Sequence, residues 1–205
     1  MRVASISVKE EGRTIMVEKA EPTHEEVEQF VIAAHGNFAK AKEMLEANPA
    51  LLNVRWPKTN ETALEAAAHV GSSEIAKYLL SKGVPLDICT AAMLGMADRV
   101  KAFLQTDPSL AKSKGAHGIP VMFFAALSGQ TKIAELLVAH EATEGFTSAL
   151  QGAVRFGHKD MVQWLLSRGA DVHVQDFEGK RPLRVAIEKG HNEIAELIRK
   201  HGGIE

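Results

Sequence analysis

Nine histidines and a single cysteine are the side chains of this 205-residue sequence best suited to chemistry. Imidazole titrates near neutrality and ligates metals, and a thiolate is a nucleophile. Their spacing assembles neither function. No H-E-x-x-H, C-x-x-C or comparable ligand run occurs, and Cys89 has no histidine close to it in sequence. His158 and His191 each follow a glycine, where equivalent segments carry Asn37, Ser72, Met96 and Gln130. That shared position favours a local hydrogen bond or packing contact over catalysis. His35 and His69 are not at a one-helix ligand spacing. Gly115-Ala116-His117-Gly118 lacks the Lys-Ser/Thr ending of a phosphate loop. Cys89 reads as a small packed residue. The expectation is no catalytic residue, no metal ligand and no cofactor, hence no enzyme.

The elements that must position these residues are set by an internal repeat. Two small apolar residues, two variable positions and a glycine recur as Ala67-Ala68-His69-Val70-Gly71, Ala91-Ala92-Met93-Leu94-Gly95, Ala125-Ala126-Leu127-Ser128-Gly129, Ala153-Val154-Arg155-Phe156-Gly157 and Ala186-Ile187-Glu188-Lys189-Gly190. Ile32-Ala33-Ala34-His35-Gly36 is a degenerate first copy. After each glycine, apolar residues fall at helical spacing, as in Ile75-Ala76-Lys77-Tyr78-Leu79-Leu80 and Ile133-Ala134-Glu135-Leu136-Leu137-Val138. Each unit is therefore an Ala-rich helix, a glycine turn and a longer amphipathic helix. Only small side chains let the first helix approach both neighbouring units closely, and glycine permits the positive φ that ends a helix.

Glu61-Thr62-Ala63-Leu64-Glu65 and Lys180-Arg181-Pro182-Leu183-Arg184 precede two of the Ala segments, and Gly169-Ala170-Asp171-Val172-His173 leaves one second helix. With the repeat period, these phrases resemble the ankyrin-repeat family, whose unit is a β-turn finger plus two helices over about 33 residues with a T-P-L-H-x-A signature. The resemblance spans residues 24–203. It implies an all-α solenoid of about six stacked helix-turn-helix repeats with short β-turn fingers, occupying 21–205. Residues 1–20 lie outside the repeat. Val3–Val8 and Thr14–Val17 are β-prone, so an N-terminal hairpin is expected, with Ile6, Val8, Ile15 and Val17 packing on the first repeat or on another subunit.

The glycines are separated by 35, 24, 34, 28 and 33 residues, so two junctions are short. Val84-Pro85-Leu86-Asp87-Ile88 runs almost directly into the next helix, and a smaller deletion falls around residues 140–145. Three well-formed fingers are expected at 54–61, 112–119 and 174–181. The ends are polar: Thr23 and Glu26 suit a capping box, and Arg199 replaces an apolar residue.

A net charge of −2 with acids and bases interspersed gives no footprint for nucleic acid. No apolar run is long enough to span a membrane, and the start lacks the apolar core of a secretory signal. One cysteine excludes an internal disulfide and suits a reducing compartment, so a cytoplasmic setting is expected.

In the resembled family, partners meet the finger tips and the exposed side of the first helices. Here that implies the helical positions His69, Met93, Leu127, Arg155 and Glu188, with the finger residues Trp56, Lys58, Glu61, His117, Phe177 and Lys180. Trp56 either anchors a partner or folds back over its own repeat. The leading reading is a protein–protein interaction module. The alternatives are a small-ligand or enzymatic protein using a pocket at the shortened fingers, and a homo-oligomer joined through residues 1–20.

Overall fold

Alanine pairs and glycine turns build the two-layer stack that their spacing implies. The computed structural model describes residues 4–10, 13–19 and 21–205, with side chains from residue 21 onward. Six helix pairs follow one another. They are α1 (His24–Ala34) with α2 (Phe38–Ala47), α3 (Ala63–His69) with α4 (Ser73–Ser81), and α5 (Ile88–Met93) with α6 (Ala97–Thr106). Then come α7 (Val121–Ser128) with α8 (Thr131–Ala139), α9 (Phe146–Phe156) with α10 (Lys159–Leu166), and α11 (Pro182–Glu188) with α12 (Asn192–Lys200).

The first helices form one layer, α1 against α3, then α5, α7, α9 and α11 in turn. Ala34, Ala67, Ala91, Ala92, Ala125, Ala126, Ala153 and Ala186 are completely buried in it. No larger side chain would permit that approach. The second helices bury paired apolar residues one helical turn apart: Ile75 and Leu79, Val100 and Leu104, Ile133 and Leu137, Met161 and Leu165, Ile194 and Ile198.

The turn at Gly129 shows why the repeat keeps glycine. Its φ is +72°, and an added Cβ would lie 2.5 Å from the His158 ring. That histidine uses the space to bring Nε2 within 2.9 Å of the Leu127 carbonyl oxygen. One of the carbonyls left free at the end of α7 thereby gains a partner. His191 stands equivalently beside Gly157. Both histidines thus have the local roles expected of that position.

Three fingers occur where expected. The first is closed by the Trp56–Glu61 bridge and the second by Lys114–Pro120; in the third, the Asp176 N–H donates to the Lys180 carbonyl at 2.9 Å. At the short second junction, Asp87 caps α5 directly, its carboxylate accepting from the Thr90 N–H at 2.9 Å. At the other, α9 begins at once after Gly145.

The stack is capped at its ends. Thr23 and Glu26 form the reciprocal capping box of α1, and Arg199 lies exposed on α12. A second box opens α3. The Thr62 hydroxyl accepts from the Glu65 N–H at 3.2 Å, and the Glu65 carboxylate accepts from the Thr62 N–H at 2.8 Å. Arg55 grips that same carboxylate with two 2.9 Å bonds. Thr62→Ala is expected to cost about 1 kcal/mol, visible as a fall of roughly 2–4 °C in melting temperature. An unchanged melting curve would show that Arg55 alone holds the start of α3.

β1 (Ala4–Glu10) and β2 (Arg13–Lys19) form an antiparallel hairpin with Ile6 opposite Val17 and Val8 opposite Ile15. The packing expected of their side chains lies outside the described residues. Among the described residues, no helix is long and apolar enough to cross a membrane.

Candidate partner-binding surface

The third finger presents the most exposed large apolar side chain among the described residues. Phe177 is 87 % exposed, against 54 % for the next, Ile204. An ion network beneath it fixes the loop. The Arg155 guanidinium, from α9, lies 5.1 Å from the Phe177 ring centroid and reaches Asp176 Oδ2 and Glu178 Oε1 at 3.1 Å each. Lys180 joins Glu178 at 3.0 Å to Glu188 of α11 at 2.8 Å, and Arg184 holds the other Glu188 oxygen at 2.8 Å. Hydrogen bonds from Lys180 and Arg155 hold the Glu178 carboxyl below the usual range, and those from Lys180 and Arg184 do the same for Glu188. Asp176 also accepts the N–H groups of Glu178 and Lys180 at 2.9 Å, tying the turn to its own side chain. Arg155, Phe177, Lys180 and Glu188, expected to contact a partner, thus form one cluster.

A second cluster joins three histidines from different units around one carboxylate. Glu61, at the base of the first finger, is only 2 % exposed. His69 Nδ1, at the end of α3, lies 2.8 Å from Glu61 Oε1, and His117 Nε2, on the second finger, lies 3.4 Å from it. His35 Nε2, at the end of α1, lies 3.8 Å from Glu61 Oε2. Neighbouring rings meet edge to face, His35 to His69 and His69 to His117, each at 5.0 Å between centroids. Burial holds the His69 imidazole below the usual histidine range, partly opposed by the Glu61 carboxylate. His117 adopts φ +57°, a left-handed conformation that few non-glycine residues take.

Sequence reasoning missed this cluster because it sought ligands along one helix. His35 and His69 are 34 residues apart, one repeat period, and stacking sets them side by side. The overlooked signal was that period. The second finger reaches α3 because the intervening unit has no finger of its own.

Three expected contact residues are corrected by their burial. Met93 is 5 % exposed, in a short α5 whose residues are all buried. Leu127 is 6 % exposed because its side chain turns onto α9 at Gly152. Glu61 faces inward among the histidines. Trp56 is half-buried against the core with the Lys58 ammonium 5.4 Å from its ring centroid, so it folds back over its own repeat. Lys58 remains exposed.

The shortened second junction does border a cavity of about 310 Å³. Cys89, Phe103, Leu110 and Phe124 supply apolar walls, and no histidine lines it. Its bordering carboxylates, Glu65 and Asp87, are both engaged as helix caps. Burial pushes the Cys89 thiol strongly upward, away from thiolate chemistry.

These features define a helical repeat protein that displays a surface supported by stacked pairs. Family models described as "Ankyrin repeats (3 copies)" and "Ankyrin repeat" match residues 88–176 and 59–91. The chain belongs to the ankyrin-repeat family. It is 32 % identical over 124 residues to the human cyclin-dependent kinase inhibitor 2A, covering 57 % of this chain and 77 % of that protein. It is 30 % identical over 133 residues to the rat cyclin-dependent kinase 4 inhibitor B, covering 61 % and 99 %. A putative ankyrin repeat-containing protein of Treponema pallidum is 31 % identical over 133 residues, covering 60 % and 44 %. Family and relatives together identify a protein–protein interaction module.

Proposed function

We propose that the chain is a non-enzymatic adaptor that recognises a protein partner through its third finger and the adjoining faces of α9 and α11. The observation that carries this reading is Phe177, 87 % exposed yet held over Arg155 by a closed ion network. An exposed aromatic on a preordered loop contributes apolar area with little ordering cost on binding. Charges of both signs around it supply orientation and specificity. Two relatives are named as inhibitors of cyclin-dependent kinases, which are themselves proteins. The engaged carboxylates and buried thiol at the cavity support a non-enzymatic role, and that single thiol suits a cytoplasmic setting.

Phe177→Ala tests the surface, since removing so exposed a ring leaves the core intact. Crosslinking and capture from a source lysate, with mass spectrometry, would identify partners of the unmodified chain. A central aromatic contributing at least about 2 kcal/mol implies about a 30-fold weaker complex for the variant. Melting temperature should stay within a degree or two. Equal capture by both chains would remove the third finger from the interface. Arg155→Glu is the poorer probe, because it sets a new carboxylate against Asp176 and Glu178.

A further inference from the structure

We propose that His35, Glu61, His69 and His117 form a binding site for a zinc-class divalent cation, pinning the second finger onto the first helices of units one and two. Imidazole nitrogen and carboxylate oxygen are zinc's usual ligands after thiolate, at about 2.0–2.2 Å in a tetrahedron. That geometry separates neighbouring donor atoms by about 3.3–3.5 Å. Two of the observed separations from the Glu61 oxygens lie near this: 3.4 Å to His117 Nε2 and 3.8 Å to His35 Nε2. Donor atoms of His35, Glu61 and His69 all lie within 4.8 Å of one another.

The donor chemistry agrees with the spacing. Glu61 is 2 % exposed, and its Oε1 has no directed hydrogen-bond partner. A buried carboxylate oxygen left that way is costly, and a cation would satisfy it. His35 Nδ1 lies 2.9 Å from the Val31 carbonyl oxygen, a contact that fixes Nδ1 as the protonated nitrogen and leaves the Nε2 lone pair facing Glu61. His69 Nδ1, 3.1 Å from the Glu65 carbonyl oxygen and 2.8 Å from Glu61 Oε1, is likewise the protonated nitrogen, so Nε2 is the atom of this ring that can take the metal. His117 Nε2, 3.4 Å from Glu61 Oε1, is the fourth donor beside this group of three, and four protein donors would fill a tetrahedron and make the site structural rather than hydrolytic.

The test uses the untagged full chain, stripped with a chelator and titrated with zinc chloride. Calorimetry should give one site per chain. At free zinc about 100 times the dissociation constant, melting temperature should rise by about 5–10 °C. Cobalt(II) should give the visible absorption of a tetrahedral centre. His35→Gln with His69→Gln should abolish the stoichiometric site and the thermal shift. His117→Asn, a half-exposed position where asparagine tolerates the positive φ, keeps the comparison valid should the double variant misfold. It should weaken binding at least about tenfold. Six other histidines remain in every variant. Zinc binding undiminished in His117→Asn and in the double variant would assign the metal to those residues and overturn the proposal. So would an unmodified chain showing neither stoichiometric binding nor a thermal shift.

Discussion

Phe124→Ala is expected to lower the unfolding free energy by about 3–5 kcal/mol, the range for emptying a buried aromatic site. The ring is 1 % exposed in α7 and meets Phe123 edge to face at 5.8 Å. It also fills the space left by Gly115, where an added Cβ would fall 2.5 Å from the Phe124 ring. The second finger is thus seated on this side chain. Deletion is costlier where surroundings cannot close in. Here the missing ring would merge with the adjoining cavity of about 310 Å³, which Phe124 lines. Urea unfolding of the variant should show the full loss, with a melting temperature roughly 6–20 °C lower. A loss below about 1 kcal/mol would mean that the finger, not the ring, closes this part of the core.

Gly152→Val should be the next most damaging change, at about 1–3 kcal/mol from overpacking. Gly152 lies within α9, where a Cβ would already stand 3.1 Å from Leu127 Cδ2 and 3.2 Å from Phe123 Cε2. Alanine there gains roughly 0.5–1 kcal/mol of helix preference, set against a shift of only a few tenths of an ångström. Gly152→Ala is therefore near neutral. Valine adds two branched methyls to the same crowded seam and has no such margin. Thermal melts of both variants measure the difference. Equal stability of the valine and alanine forms would show that α7 and α9 can separate without cost.

Much of this architecture was legible from residue spacing. The glycine intervals locate both short junctions, and Thr23 with Glu26 marks the first cap. Face assignment was harder. Met93 and Leu127 occupy the column that also holds His69, Arg155 and Glu188, and spacing cannot tell a groove position from a seam position. That depends on how far neighbouring helices close when a finger is missing. The Arg155 and Phe177 cluster was legible as residues, but not as a network, because Arg155 of α9 and Glu188 of α11 are brought to the finger by stacking. The histidine cluster was hidden by the same distance in sequence, and only the repeat period links its members.

The reach of the second finger past a unit without one changes how the array should come apart. In a stack with contacts only between neighbours, stability adds along one dimension and the ends fray unit by unit. His117, from the fourth unit, touches His69 in the second, closing a loop of contacts around the third. Opening any one of those three units breaks a contact that the others share. They form a cooperative block inside an otherwise modular chain, and the deletion that removed one finger is what welded its neighbours together.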